Sequence, residues 1–220
     1  MVRVGQVALK KRNCGVILPA RQIRSVAKFQ PRKIQGRWRD GYALDLHTLS
    51  STPIGYNEYG HMQFDTKRSE LGELLYRLKY GADKAAIAEI VDALCEFTAS
   101  WNPGAEMIVP VPPSSQRNVQ PVIVIAEGFS RRLGIPLVDC VKRTRDAPQL
   151  KNVYDLDERL RLLEGLHQVD ASVTESKKVL LFDDLYRSGA TMDAITAALY
   201  DDGRAADVFA LTVTRTRSHQ

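Results

Sequence analysis

Apolar residues recur with a period of two in the first part of the chain and with a helical period further on. Residues 41–47 alternate apolar and polar side chains, which predicts a strand. Residues 57–60, Asn-Glu-Tyr-Gly, are typical of a turn. Apolar residues recur at helical spacing over 70–78, and Asp83 is placed to cap a second helix with its apolar positions between 87 and 97. A β-rich segment therefore precedes a pair of helices.

Short apolar runs alternate with amphipathic runs in the rest of the chain, while residues 142–173 are polar without a strand pattern. The predicted strands cover 107–111, 137–141, 178–182 and 208–213, and the predicted helices cover 121–133 and 190–202. Strands that alternate with helices form mostly parallel sheets with helices on both faces. We therefore expect an α/β fold with a mostly parallel, doubly wound sheet, which binds ligands at the carboxyl ends of its strands.

One stretch joins the strongest predicted strand to an acidic pair and a small polar loop. The apolar residues 179–182 lead into Asp183 and Asp184, and Leu-Tyr-Arg-Ser-Gly-Ala-Thr follows at 185–191. The helix predicted over 190–202 begins at the end of this loop. This order places two carboxylates and a helix N-terminus at the same edge of the sheet.

The loop has the composition of a phosphate site. Backbone N–H groups at a helix N-terminus point at an anion, and the helix dipole favours negative charge there. Gly189 lets the backbone approach the anion closely. Ser188 and Thr191 add hydroxyl donors, and Arg187 adds a guanidinium group. The loop is therefore suited to a terminal phosphate monoester.

The two acids suit a sugar. Asp183 and Asp184 can accept hydrogen bonds from vicinal hydroxyl groups or hold Mg²⁺ through water. Taken alone, an Asp-Asp pair after a strand is usually a helix cap or a turn, and Ser-Gly-Ala-Thr is usually a tight turn. Their combination in this order favours a site for a phosphorylated sugar.

The composition is that of an ordinary globular protein, since 44% of the 220 residues are hydrophobic and 26% are charged. No apolar run reaches the roughly 18 residues that span a membrane. The N-terminus lacks the apolar core of a signal peptide, because Arg3, Lys10 and Lys11 interrupt it. The three cysteines form no CxxC pair, which argues against disulfides and a zinc site. We expect a soluble, cytoplasmic protein without a membrane partner.

The net charge of +5 is concentrated at the N-terminus. Residues 1–39 hold eleven basic and no acidic residues, so the remaining 181 residues have a net charge of −6. The basic residues are Arg3, Lys10, Lys11, Arg12, Arg21, Arg24, Lys28, Arg32, Lys33, Arg37 and Arg39. Such a segment attracts polyanions, either nucleic acid or a phosphorylated substrate. The alternatives are a solvated arm, or cations that pack against the acidic body.

The run at 179–191 resembles the ribose-phosphate signature of type I phosphoribosyltransferases: an apolar strand, Asp-Asp, and a loop with Ser/Thr-Gly-x-Thr. Within that family the chain most resembles the ComF-like, amidophosphoribosyltransferase-like group. Residues 109–115 resemble the family's pyrophosphate loop, and residues 74–79 resemble the helix that precedes the domain. Gln149 and Arg159 stand where the group has a mobile hood.

The resemblance implies a division of the chain into two parts. Residues 69–220 are the expected phosphoribosyltransferase-like α/β domain, with a mobile hood around 142–173. Residues 1–68 are the expected basic, β-rich, irregular N-terminal extension or small subdomain.

The resemblance also implies a reaction, in which 5-phosphoribosyl-1-pyrophosphate with Mg²⁺ gives its phosphoribosyl group to an acceptor and releases pyrophosphate. Asp183 and Asp184 are the implied catalytic pair, which bind the ribose hydroxyls and hold Mg²⁺ through water or those hydroxyls. The other implied contacts are Tyr186, Arg187, Ser188, Gly189, Ala190 and Thr191 for the 5′-phosphate, Ser114, Ser115 and Arg117 for pyrophosphate, and Lys142, Arg143, Arg145 and Lys151 in the hood. The four hood residues also fit an ordinary surface loop.

The chain departs from the ComF-like pattern in three places. The group usually carries an N-terminal cysteine zinc module, which this sequence lacks. Its pyrophosphate loop is usually rich in arginine, whereas residues 114–118 contain only Arg117. Arg187-Ser188 stands where two threonines are frequent, a change that keeps the phosphate donors.

Two classes of function stay open at this point. The first is a phosphoribosyltransferase with an unidentified acceptor. The second is a non-catalytic protein that senses a sugar phosphate or nucleotide, or a partner in DNA uptake and processing with residues 1–39 as a nucleic-acid-binding arm. A dinucleotide site is disfavoured, because no Gly-x-Gly-x-x-Gly follows a strand.

The acceptor and the oligomeric state, a homodimer included, also stay open. Five ring-bearing side chains could stack an acceptor base or seal the N-terminal segment onto the core. They are Tyr42, His47, Tyr56, Tyr59 and Phe64.

Overall fold

The structure is a computed structural model that describes residues 26–113, 119–145, 153 and 155–217. Its strands are β1 (Arg32–Lys33), β2 (Asp40–Leu46), β3 (Thr48–Tyr56), β4 (Met62–Arg68), β5 (Met107–Pro110), β6 (Val141–Arg143), β7 (His167–Val169), β8 (Lys178–Tyr186) and β9 (Asp207–Arg215). Its helices are α1 (Glu70–Gly81), α2 (Ala85–Trp101), α3 (Pro121–Leu133), α4 (Leu156–Leu163), α5 (Ala171–Thr174) and α6 (Ala190–Asp201).

The central sheet has the strand order β1-β2-β9-β8-β5. The pairings of β2 with β9, β9 with β8, and β8 with β5 are parallel, and only the short edge strand β1 is antiparallel. The carboxyl ends of four strands therefore lie along one edge of the sheet. The predicted α/β class with a mostly parallel sheet is confirmed.

Helices cover both faces of this sheet. On one face, α1, α2 and α3 pack over a cluster that includes Leu44, Leu180 and Phe182. On the other, α6 packs over a cluster that includes Val179 and Leu181. Successive residues of β8 thus enter opposite clusters, as the period of two in a strand requires. The doubly wound arrangement follows from this burial on both faces.

The first turn of α1 is fixed to the end of β2. Ser69 Oγ accepts a hydrogen bond from the N–H of Gly72 and donates one to the carbonyl of Leu46. Gly72 lies so close to the strand that a Cβ there would be 2.1 Å from the carbonyl oxygen of His47. The absence of a side chain at residue 72 therefore sets the distance between α1 and the sheet.

Most predicted elements are confirmed. Helix α3 ends at Gly134, which has φ +71°, and α6 covers the predicted helix to within one residue. The cap predicted at Asp83 is wrong by one residue, because Lys84 is the N-cap of α2, although Oδ1 of Asp83 accepts a hydrogen bond from the N–H of Ala85. The turn at 57–60 joins β3 to β4.

The strand predicted over 137–141 is wrong. Leu137 makes a single parallel bridge to Ile108, and the strand of this region, β6, starts at Val141 and pairs with β7. β5 spans only four residues, so its outer edge gives little length for a further strand. Apart from Val141, β6 and β7 lie in the region 142–173 that shows no strand pattern in the sequence, because three-residue strands are too short for one.

The N-terminal segment, as far as the structure describes it, contributes to two sheets. β1 and β2 belong to the central sheet, whereas β3 and β4 form a hairpin outside it. Residue 68 is the point where these strands end and α1 follows after Ser69. The division of the chain into two domains at this point stays a prediction.

Cations of the basic segment pair with acids of the body. Lys33 pairs with Asp40 at 3.1 Å, Arg37 with Asp193 at 3.2 Å, and Arg39 with Asp207 at 2.8 Å. For these three cations, packing against the acidic body is confirmed. Six of the eleven cations of the basic segment lie within residues 1–25, which are outside the described residues.

Across the part of the chain that the structure describes, no helix has the length and apolar character needed to cross a membrane.

The contact between α1 and β2 generates a stability prediction. Gly72→Ala places a Cβ against the backbone of His47, so we expect the free energy of unfolding in urea to fall by about 1–3 kcal/mol. Gly81→Ala, at the other end of α1, meets no atom within 4 Å and serves as the control. Its stability should stay unchanged or rise by up to about 1 kcal/mol. Equal stability of the two variants would contradict this account of the contact.

Candidate functional site

The acidic pair lies within the last residues of strand β8 rather than after the end of the strand. The strand was predicted to end at Phe182, but it continues to Tyr186, with Asp183 opposite Thr212 of β9. That prediction is wrong by four residues, because backbone pairing with β9 continues whatever the charge of the side chains. Both acids still lie at the carboxyl end of the sheet.

The alternation of β8 sends the two acids to different sides of the sheet. Asp183 follows Val179 and Leu181 on the side of α6, and Asp184 follows Phe182 on the side of α1. The Asp183 carboxylate accepts a hydrogen bond from the N–H of Asp184 at 2.8 Å. Burial, together with the charge of Asp184, raises the pKa of the Asp183 carboxyl above its ordinary value. The pair therefore favours one negative charge over two.

Lys79 of α1 completes this end of the site, although it was not among the predicted site residues. Its Nζ lies 2.8 Å from Oδ1 of Asp184, and each of the two side chains is only 14% exposed. Lys79 belongs to the segment 74–79 that carries part of the family resemblance, which was the one signal for it in the sequence. Its partner is 105 residues away, so only the fold identifies the pair.

The loop between β8 and α6 has the backbone of an anion site. Gly189 has φ +80°, and α6 begins at Ala190 without a side-chain cap. The first helical hydrogen bond runs from the N–H of Asp193 to the carbonyl of Gly189. The N–H groups of Ala190 and Thr191 therefore precede the helical ladder and have no partner within it. An anion at this end of α6 would meet these donors and the positive end of the helix dipole.

Tyr186 supports the loop through its side chain, and its predicted contact with phosphate stays a prediction. Its hydroxyl donates to the carbonyl of Gln35 at 3.1 Å, and its buried ring packs edge-on against Trp38. A Cβ on Gly189 would lie 2.7 Å from this ring. Tyr186 and Gly189 together thus set the distance between the loop backbone and the Tyr186 ring.

Two of the remaining loop side chains face outward, whereas Ala190 is buried. Arg187 and Ser188 are exposed, and Ser188 Oγ accepts from the guanidinium group of Arg159 at 3.1 Å. Arg159 belongs to α4, so the region predicted as a hood reaches the phosphate loop through this contact. The structure brings Arg187 to Thr191 together, and their contact with a ligand stays a prediction.

Two of the predicted hood residues bind backbone carbonyls instead of projecting freely. Arg143 donates to the carbonyls of Pro112 and Pro113, at the base of the predicted pyrophosphate loop. Arg145 donates to the carbonyls of Leu162 and Glu164, at the end of α4. Lys142 is exposed on β6. The predicted contacts Ser114, Ser115, Arg117 and Lys151 lie outside the described residues.

Of the five ring-bearing side chains considered for the acceptor, only His47 lies beside the acids. Its Nδ1 is 3.2 Å from Oγ1 of Thr214. Burial, with the charges of Lys79 and Arg68, lowers the pKa of His47 to about 4, so the imidazole is neutral at neutral pH. Tyr42 packs in the core against Phe97 and Trp101. The other three, Tyr56, Tyr59 and Phe64, are exposed on the β3–β4 segment.

The described residues do not form a complete metal site by themselves. Among them, no group of three or more His, Cys, Asp or Glu side chains is placed to hold a metal ion. Asp183 and Asp184 supply two carboxylates, and one of these already pairs with Lys79. A magnesium ion here would therefore depend on oxygen ligands from a bound substrate.

No protein-family model matches the chain. Among curated proteins, it is similar to the competence protein ComFC of Bacillus subtilis (strain 168), with 29% identity over 161 residues. The resemblance to the ComF-like group is confirmed. The match covers 68% of this chain but only 62% of ComFC.

Solved structures similar to this chain include two phosphoribosyltransferases. Adenine phosphoribosyltransferase from Saccharomyces cerevisiae matches with 13% identity and a TM-score of 0.46, over 76% of the chain and 85% of that structure. Orotate phosphoribosyltransferase from Aeropyrum pernix matches with 17% identity and a TM-score of 0.43, over 77% and 76%.

The geometry of the loop between β8 and α6 generates a binding prediction. Gly189→Ala introduces a Cβ at φ +80° and against the ring of Tyr186, so the loop must move away from its present path. We expect the affinity for ribose 5-phosphate, measured by calorimetry, to fall at least tenfold.

Gly134→Ala is the matched control for this variant. Gly134 also has a positive φ, of +71°, but it ends α3 and meets no atom within 4 Å. This variant carries the strain of a left-handed alanine, about 1–2 kcal/mol, without touching the loop. Its affinity should match that of the unchanged protein. Similar losses of affinity in both variants would assign the effect to general destabilisation.

Proposed function

We propose that the chain binds 5-phosphoribosyl-1-pyrophosphate and transfers its phosphoribosyl group to an acceptor. The observation that carries the proposal is the joining of an acidic pair to an uncapped helix N-terminus by a loop with glycine at φ +80°. A carboxylate pair suits the two ribose hydroxyls, and the helix N-terminus suits the 5′-phosphate. The confirmed resemblance to the ComF-like group supports the same substrate.

The acids have a further role when the bond at C1 breaks. The electron pair of the C1–O bond leaves with pyrophosphate, and positive charge develops on C1 and the ring oxygen. Asp183 and Asp184, next to the ribose, stabilise this charge electrostatically. Amides of residues 189–191 hold the 5′-phosphate and so keep the sugar oriented during the reaction.

The reaction is completed by the acceptor, which forms a bond to C1 and loses a proton. His47, whose pKa is lowered to about 4, stays neutral and can hold the acceptor by a hydrogen bond, while the proton of the acceptor passes to solvent. Mg²⁺, when bound with the substrate, supplies charge neutralisation for the pyrophosphate.

A second candidate is a binding protein without turnover. It is favoured by the similarity to a competence protein and by the engagement of Arg143 and Arg145 with backbone carbonyls, which leaves fewer cations for pyrophosphate. A nucleic-acid arm would belong to this candidate. Its cations at 33, 37 and 39 already pair with acids, so such an arm would depend on the other eight cations of residues 1–39.

Substitution of the acids tests the binding claim. Asp183→Asn and Asp184→Asn keep the size of the side chains but replace an oxygen acceptor with an amide NH2 group and weaken the negative charge of the pair, and a hydrogen bond to a charged group contributes about 1.5–3 kcal/mol. We expect calorimetry with 5-phosphoribosyl-1-pyrophosphate and Mg²⁺ to show affinities lower by roughly ten- to a hundredfold.

Asp207→Asn is the control for these variants, because Asp207 pairs with Arg39 at the opposite end of β9. This variant should bind like the unchanged protein. Undiminished binding by both site variants would refute the proposal.

Release of pyrophosphate separates the enzyme from the binding protein. The proposal predicts release that depends on 5-phosphoribosyl-1-pyrophosphate, Mg²⁺ and one member of a panel of bases and amines. His47→Gln should lower this rate more than it lowers affinity, because the neutral imidazole acts on the acceptor. Tight binding of the sugar phosphate without release under any acceptor would favour the second candidate.

A further inference from the structure

A lysine of this protein forms an ion pair with one of the two acids. Lys79 and Asp184 form an ion pair at 2.8 Å with both side chains 14% exposed. For comparison, Lys177 and Glu106 pair at 3.0 Å with exposures of 47% and 45%. An exposed pair of the second kind is largely screened by water, whereas an enclosed pair stays associated. Lys79 is therefore a fixed part of the site.

The position of Lys79 is set by the backbone that carries it. α1 is tied to β2 at its first turn by Ser69 and by the close approach of Gly72. Leu75 and Leu78, next to Lys79 on the helix, are fully buried. Lys79 lies in the last turn of α1, where the helix dipole favours a cation. Its ammonium cannot leave Asp184 by a movement of the helix without breaking these contacts.

A cation fixed at one carboxylate changes what else the pair can bind. A divalent metal ion beside Asp184 would lie close to the ammonium of Lys79, and like charges at this distance repel. Among the described residues, no third carboxylate or imidazole is placed with the pair to bind the same ion and so compensate for this repulsion. A neutral group such as a sugar hydroxyl meets no such repulsion and can donate to the second oxygen of Asp184.

We propose that Lys79 is a positioning residue that takes the place of a metal ion at the acidic pair. It orients Asp184 toward the ribose. It also keeps divalent metal ions away from the two acids until the pyrophosphate brings one. The ribose part of this statement rests on the proposed function, whereas the exclusion of metal ions does not. The cation is supplied by the fold, so binding of ribose 5-phosphate, which has no pyrophosphate, is independent of divalent metal ions.

The test of metal exclusion uses Mn²⁺ alone, without any sugar phosphate. Binding is measured from the loss of the free-ion electron paramagnetic resonance signal. The unchanged protein and Lys79→Arg should show no saturable site at the acidic pair. Lys79→Met should bind Mn²⁺ at least tenfold more tightly, and Lys79→Met combined with Asp184→Asn should lose that gain. Lys177→Met, which breaks the exposed pair, should behave like the unchanged protein.

Two results would overturn the proposal. One is binding of Mn²⁺ by the unchanged protein that is as tight as that of Lys79→Met and is lost in Asp184→Asn. The other is an equal absence of binding in the unchanged protein and in Lys79→Met. Lys79→Gln replaces Lys79→Met if the latter does not fold, which circular dichroism shows, because glutamine also removes the charge.

Ribose 5-phosphate provides the second readout, which a purely structural role would not move. We expect the unchanged protein and Lys79→Arg to bind it equally with Mg²⁺ and with a chelator. Lys79→Met should bind it at least tenfold more weakly in the chelator, and added Mg²⁺ should restore part of the affinity. Metal-dependent binding by the unchanged protein would contradict the positioning role.

The two readouts separate failure of this inference from failure of the proposed function. If no variant binds ribose 5-phosphate but Mn²⁺ behaves as expected, the proposed function is refuted and the exclusion of metal ions by Lys79 stands. If ribose 5-phosphate binds but Mn²⁺ binds the unchanged protein as well, the reverse holds.

Discussion

The ammonium of Lys79 and the carboxylate of Asp184 lie 2.8 Å apart, although 105 residues separate them in the sequence. This ion pair joins α1 to the carboxyl end of β8, the strand that carries the acidic pair. It depends on the close approach of Gly72 to β2, and β2 in turn pairs along β9, which pairs along β8. The geometry of the site is therefore set by the packing of the whole sheet and α1, rather than by the signature sequence alone.

The site has two halves of different origin. One half is local: β8, the loop and α6 follow each other directly, and Gly189 with Tyr186 fixes the turn between them. The other half is assembled from distant segments, since Lys79 comes from α1, His47 follows β2, and Arg159 reaches Ser188 from α4. A local half of this kind can hold a phosphate in many proteins, and the assembled half decides which side chains surround the acidic pair and the loop.

The local half could be predicted from the sequence and the assembled half could not. The apolar run at 179–182, the acids and the glycine identify a strand-loop-helix unit because each feature acts over a few residues. The strand itself is longer than predicted, because backbone pairing with β9 carries Asp183 and Asp184 inside it. The direction of each acid then follows from the pleat, but its partner follows only from the packing of α1.

The region predicted as a hood shows the same limit of prediction from sequence. Arg143 and Arg145 are long cations in a polar region, and a sequence does not distinguish a cation that waits for a ligand from one that binds a backbone carbonyl. β6 and β7 have three residues each, too few to show a period. The basic N-terminal segment also looked uniform in sequence, whereas Lys33, Arg37 and Arg39 each have an acidic partner.

A crystal of the protein soaked with 5-phosphoribosyl-1-pyrophosphate and Mg²⁺ tests the central claim most directly. The account predicts the 5′-phosphate at the amides of residues 189–191 and the ribose hydroxyls within hydrogen-bond distance of Asp183 and Asp184, with the ammonium of Lys79 still on Asp184. A sugar phosphate bound elsewhere, or a metal ion held by the two acids in place of Lys79, would contradict it.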